Sequence, residues 1–179
     1  MTSMTIVWRR MGEEYKKECL APAFKDARRC IMIYGAFHTS GKSELRIISG
    51  RMNAVAYRDI LREITIPFID KAGSRSEIIL MKDNDPKHKA RIVQQYLQEE
   101  NIQCLDWPPS SPDLNPIEHL WDLLKRKLPG KDIKSIEHLK TVTISAWNEI
   151  QPDELKKLVA SMKNRFQEVI RYKGNPTSY

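Results

Sequence analysis

The order of apolar segments specifies one α/β domain with a helical C-terminal third. Three observations carry this. A continuous apolar run, Ile78-Ile79-Leu80, is bounded by charged turns, as in a strand covered on both faces. Short apolar runs on either side of it alternate with segments of helical period. Beyond Asn115 the apolar residues recur every three or four positions. The 179 residues suffice for one core, and no internal repeat or long linker divides them, so residues 1–179 are expected to form one domain.

Residues 1–29 read as irregular and charged, with Pro22 and the basic pair Arg28-Arg29 before the first clear strand. Cys30 to Phe37 reads as a buried strand. His38-Thr39-Ser40-Gly41-Lys42 turns the chain, and Glu44 to Ile48 is its hairpin partner, ended by Gly50. Asn53 is placed as the N-cap of a helix running towards Asp70, with Val55, Tyr57, Ile60, Leu61 and Ile64 among its apolar positions and Pro67 set to kink or end it. Glu77 to Met81 is the covered strand. A helix from about His88 to Glu100 presents Ile92, Val93, Tyr96 and Leu97 on one face, and Ile102 to Trp107 returns as a short strand. Pro108, Pro109 and Pro112 stiffen the following loop, because each fixes φ and lacks a donor.

Three helices finish the chain. Ile117, Leu120, Trp121, Leu124 and Leu128 stripe the first; Ile136, Leu139, Val142, Ala146 and Trp147 serve the second. The third opens on Pro152-Asp153-Glu154, a proline and two acids suited to a helix N-terminus, and carries Leu155, Leu158, Val159, Met162, Phe166, Val169 and Ile170. Trp8, Trp107, Trp121 and Trp147 are assigned to the core.

Composition excludes several classes. The longest apolar stretch, Cys30 to Phe37, is far short of the ~20 residues a membrane span needs. The first ten residues lack the apolar block of a signal peptide. Cys19, Cys30 and Cys104 make no CxxC pair and cannot all pair with one another, which fits a reduced, intracellular compartment. No membrane association and no small-molecule substrate are expected. The net charge of +7 favours a polyanionic partner but does not by itself specify nucleic acid.

The chemistry concentrates in two carboxylates. Asp83 stands at the end of a buried strand, where open α/β sheets place their ligands. Glu118 falls in the first turn of a helix, with 34 residues between it and Asp83, behind the proline-stiffened loop. Two divalent ions roughly 3.5–4 Å apart can activate the attacking oxygen of a phosphodiester displacement and stabilise the leaving one. Mg²⁺ takes hard oxygen ligands and keeps several waters, so a few carboxylates on rigid elements suffice. No Gly-rich phosphate loop, HExxH or Ser/His/Asp pattern competes.

Each feature also has a purely structural reading. Asp83-Asn84-Asp85-Pro86 is a good turn sequence. Asn115-Pro116-Ile117-Glu118 resembles a capping box, with Asn115 as N-cap and Glu118 at the third helical position. His88 and His119 are read as surface groups or neighbours of a site before ligands, since a hard cation prefers oxygen. Lys125-Arg126-Lys127 is a solvated helix end that could also meet phosphate or act as a weak nuclear signal.

The stretch Asp83-Asn-Asp-Pro-Lys-His88, with Trp107-Pro-Pro-Ser-Ser-Pro-Asp-Leu-Asn-Pro-Ile-Glu-His-Leu-Trp121 after it, resembles the catalytic core of mariner-superfamily DNA transposases. The 34-residue interval is one of that superfamily's spacings. Val7-Trp8-Arg9-Arg10 with Gly12-Glu13, Asn53 to Leu61 and Val169 to Tyr179 are similar to further family segments, so the resemblance covers nearly the whole chain. It implies a ribonuclease H-like fold, a mixed sheet flanked by helices, and a set of two aspartates and one glutamate binding two Mg²⁺ or Mn²⁺ ions. Asp83 matches the second aspartate and Glu118 the glutamate; Asp85 takes no role. The implied reaction is hydrolysis at transposon ends, then attack of the freed 3′-hydroxyl on target DNA, at a TA dinucleotide. Transposon-end and target DNA are the implied partners, a homodimer the implied assembly, and the nucleus the implied location in a eukaryote.

In the family the first aspartate lies on the first, central strand, upstream of the segment matched by Val7-Trp8-Arg9-Arg10. Only six residues precede Val7 here, none of them acidic, and no helix-turn-helix region for end recognition is present. The chain is therefore expected to be incomplete at its N-terminus and inactive by itself. A non-enzymatic DNA- or transposase-binding remnant, or another ribonuclease H-like nuclease, are the alternatives.

Overall fold

The structure, a computed structural model, describes residues 30–107, 114–129 and 133–172. The Pro108–Asp113 loop, Trp8, Cys19 and the stretch after Tyr172 lie outside the described residues.

The expected hairpin forms, in two pieces. β1 (Met32–Tyr34) pairs antiparallel with β4 (Arg46–Ile48), and β2 (Phe37–His38) with β3 (Gly41–Lys42). The Cys30–Phe37 strand breaks at Gly35-Ala36. There Ser43 replaces the ladder: its N–H donates to the Ala36 carbonyl at 2.8 Å, and its Oγ accepts the Ala36 N–H at 2.9 Å. Gly35 is required at the break. A Cβ on it would stand 2.9 Å from Cη2 of Trp147, a ring that is 1% exposed and cannot withdraw. Gly50, at φ +80°, turns the chain out of β4.

Asn53 caps α1 (Ala54–Ile60) as expected, its Oδ1 accepting the Ala56 N–H at 2.9 Å. Pro67 does not end the helix. The chain widens into a π turn at Leu61–Thr65, where the Ile66 N–H reaches back to the Leu61 carbonyl, and continues as α2 (Ile66–Ala72). The wider turn makes room for the proline ring, which in a regular helix meets the carbonyl four residues back.

β5 is shorter than the Glu77–Met81 run. A 3₁₀ turn takes Arg75–Glu77, and only Ile79–Leu80 pairs, parallel to β6 (Gln103–Cys104). Ile79 is 57% exposed, so the expectation of cover on both faces fails for it. α3 (Arg91–Glu99) begins three residues later than expected, because Pro86–Ala90 are taken up by turns, and buries Val93 and Leu97. α4 (Pro116–Lys127), α5 (Ile136–Asn148) and α6 (Pro152–Arg171) match the three predicted helices. On α6 the stripe is rotated at its end: Phe166 and Ile170 are exposed while Arg165 is buried.

Two apolar clusters lie on opposite faces of the hairpin, as strand alternation dictates. Tyr34 packs against the cluster of Tyr57, Leu61, Ile66, Ile69, Val93, Leu97 and Ile102. Ile33 and Phe37 pack against Leu120, Leu124, Ala146, Trp147, Ile150 and Leu155. Trp147 ties the second cluster to the hairpin through its indole N–H, which donates to the Ser43 carbonyl at 2.9 Å, and its ring stacks on Trp121. Among the described residues, no helix is long and apolar enough to cross a membrane.

Candidate metal centre

Asp83 follows β5, where the strand ends in the turn Asp83–His88. Asp85, which takes no role in the family resemblance, builds that turn. Its Oδ1 accepts the Lys87 N–H at 3.0 Å, its carbonyl accepts from the N–H groups of His88 and Lys89, and its carboxylate pairs with the Lys87 ammonium. Those contacts, the Lys87 hydrogen bond foremost, hold the Asp85 carboxyl below its usual range. Asp83 lends the turn one oxygen: Oδ1 accepts the Asp85 N–H at 3.2 Å and faces Nδ1 of His88 at 2.5 Å. Oδ2 has no hydrogen-bond partner among the described residues, and the side chain is 58% exposed.

Glu118 sits in the first turn of α4. Asn115 caps that helix alone, its Oδ1 accepting the Ile117 N–H at 3.3 Å. The reciprocal half of a capping box is not formed, so the Glu118 carboxylate accepts no hydrogen bond among the described residues. Both carboxylates line one cavity of about 680 Å³. One wall comes from β1 and the residues after it, another from Ile78 to Asp83, and a third from α4 with Trp121. Burial pushes the Glu118 carboxyl up; Lys125 draws it down, and Asp122 and Asp83 raise it further.

This shift has a consequence for stability. A carboxyl whose folded pKa is raised favours the protonated fold, so ionisation removes stability as the pH climbs through and above 4.5. In chelator, Glu118→Gln is therefore expected to melt above the wild-type chain at neutral pH. The difference should vanish below 4.5, where both side chains are neutral. Thermal melts across that range check it, and a glutamine variant less stable at neutral pH would contradict the assignment.

His88 lines the cavity, as does His38, while His119 follows Glu118 on α4 and does not. His88 is turned towards Asp83 with its ring 4.0 Å from that of Tyr57. His119 faces Arg165 on α6, with Nδ1 3.1 Å from a guanidinium nitrogen. Arginine can only donate, so this imidazole is neutral; burial and the guanidinium both lower its pKa. The basic end of α4 is largely committed within the chain: Lys125 pairs with Asp122 and Lys127 with Glu154.

Sequence reasoning passed over Tyr57 and Arg165 at this site. Among the described residues, no group of three His, Cys, Asp or Glu side chains could hold a metal ion.

The chain matches the DDE superfamily endonuclease family over residues 6–140. It is 34% identical over 173 residues to the Tc1 transposable-element transposase of Caenorhabditis elegans, covering 97% of this chain and 63% of that one. It therefore spans less than two thirds of that relative's length. Among solved structures it resembles the catalytic domain of Mos1 transposase with raltegravir and Mg (TM-score 0.70, 21% identity, 83% of this chain and 77% of that one). It also resembles the Mos1 paired-end complex with the left transposon end (TM-score 0.77, 19% identity, 97% and 52%). These likenesses establish the ribonuclease H-like fold. The chain belongs to the DDE superfamily endonucleases.

Proposed function

We propose that Asp83 and Glu118 hold divalent ions, Mg²⁺ or Mn²⁺, for cleavage of DNA at transposon ends and its transfer into target DNA. The observation that carries this is the state of the two carboxylates. Asp83 Oδ2 and the Glu118 carboxylate are uncommitted within the described residues, and both residues line the same cavity. Such oxygens fit a hard cation, and the donor set is poor in sulfur and imidazole nitrogen. Bound ions would supply activation of the attacking oxygen and stabilisation of the leaving one. The chain's own share is to place the two ligands from a strand end and a helix start.

The third acidic ligand lies outside the described residues in this reading. Among those residues β1 pairs only with β4 and β5 only with β6, while residues of both β1 and β5 line the cavity. A strand laid between them would complete the sheet and bring a carboxylate beside Asp83. The likeness to a Mos1 paired-end complex with a transposon end supports transposon-end DNA as the partner; a homodimer, target DNA and a nuclear location in a eukaryote belong to the same reading.

The test uses the chain within its whole reading frame, with Mn²⁺, a target plasmid and duplexes bearing the terminal sequences that flank its gene. Expected are nicks at those ends and joined strand-transfer products. Hydrolysis without joining would mark another kind of nuclease, and DNA binding with neither product a non-enzymatic remnant.

A further inference from the structure

We propose that His88 is a positioning residue that holds Asp83 by one carboxylate oxygen and leaves the other free for a cation, an inference that rests on the metal reading above. Asp83 alone is poorly constrained, since its side chain is 58% exposed at the end of a two-residue strand. His88 is constrained on every side. Its side chain is 15% exposed, and its ring lies 4.0 Å from that of Tyr57, tilted by 31°. Tyr57 is itself 2% exposed within the first apolar cluster.

The backbone of His88 is equally fixed. Its N–H donates to the Asp85 carbonyl at 2.8 Å, and its carbonyl accepts from Nε2 of Gln94 at 2.9 Å and Nζ of Lys82 at 3.4 Å. The imidazole is thus anchored to the core through α1 and to the turn through its main chain. An ionised carboxylate can only accept, so the ring nitrogen facing it, Nδ1, carries the proton. Oδ1 of Asp83 then has two donors, the imidazole and the Asp85 N–H, and Oδ2 has none among the described residues. Metal-ligating carboxylates are held in this way by neighbouring donors, and losing one such partner typically costs 10–100-fold in affinity. Orienting the ligand in advance lowers the entropy cost of binding.

Two measurements on the full chain test this. The first is calorimetric titration with MnCl₂ of wild type, His88→Phe, His88→Asn and Asp83→Ala, each with its thermal melt. His88→Phe keeps a ring on Tyr57 but loses the donor, and should weaken Mn²⁺ binding by about tenfold or more without a matching loss of melting temperature. His88→Asn, whose amide can donate from a similar place, should retain most of the affinity. Phenylalanine binding Mn²⁺ as well as wild type, or asparagine binding as weakly as phenylalanine, would overturn the proposal. The second measurement needs no metal: ¹⁵N NMR of the His88 imidazole at about pH 8, where an unperturbed ring is neutral. A proton held on Nδ1, and released in Asp83→Ala, supports the contact; a proton on Nε2 in wild type overturns it. Wild type binding Mn²⁺ no better than Asp83→Ala would defeat the metal reading itself, and the imidazole spectrum would still decide whether His88 holds the carboxylate.

Discussion

Within the whole reading frame, Asp83→Asn and Glu118→Gln are each expected to abolish the proposed DNA cleavage and strand transfer while leaving the protein folded. Both changes keep shape and remove an anionic oxygen. Losing one ligand of a Lewis-acid site forfeits several kcal/mol of transition-state stabilisation, and each ~1.4 kcal/mol is tenfold in rate, so the loss should reach about 10³-fold or more. Asp85→Asn is the internal control. Asp85 builds the same turn through Lys87 but has no proposed ligand role, so its loss should show in the melting temperature more than in the rate. Single-turnover cleavage by the three variants checks this. Equal loss in all three would mean that the turn, and not the Asp83 carboxylate, is what matters.

The largest effect on stability is expected at Trp147. Its ring is 1% exposed, stacks on Trp121, closes against Gly35 and donates to the Ser43 carbonyl at 2.9 Å. Trp147→Ala should cost about 3–5 kcal/mol for the vacated volume. The unpaired Ser43 carbonyl adds about 1–3 kcal/mol if water does not reach it. Against a typical total of about 5–15 kcal/mol, this brings the domain near unfolding. Trp147→Phe keeps most of the packing and should cost far less. Urea unfolding followed by circular dichroism measures both, and an alanine variant with an unchanged midpoint would show that the second apolar cluster does not depend on this ring.

The contrast between these sites shows what a sequence makes legible. Asp83 and Glu118 could be placed because each occupies the end of an element whose pattern is local, an apolar run stopping at a turn and a proline-led helix start, but that pattern alone also reads as a turn and a cap, and the family resemblance is what marked them as ligands. Asn53 and Pro152 were readable for the same reason, since caps act within one helical turn. The break in the first hairpin was not. It depends on a serine hydroxyl seven residues away entering the strand ladder and on an indole 112 positions along the chain lying against Gly35. The helix could be read on towards Asp70, but the π turn that carries it past Pro67 could not, because a π turn leaves no periodic mark.

At the site the same rule separates what could be seen from what could not. The sequence placed His88 near Asp83, but the support beneath its ring comes from Tyr57, on a helix whose apolar positions announce only burial. The burial of Arg165 ran against the hydropathy of α6: a guanidinium took the inner position and the neighbouring Phe166 turned outward. Hydropathy orders residues by transfer cost, and a charge with partners across the interface escapes that order.

The most direct test of the metal centre is an anomalous-difference map from crystals of the chain soaked in Mn²⁺. A peak is expected at ordinary metal–oxygen distance, about 2.0–2.2 Å, from Oδ2 of Asp83 and from the Glu118 carboxylate, with Oδ1 of Asp83 still on His88. Ordered Mn²⁺ elsewhere, with neither Asp83 nor Glu118 among its ligands, would contradict it.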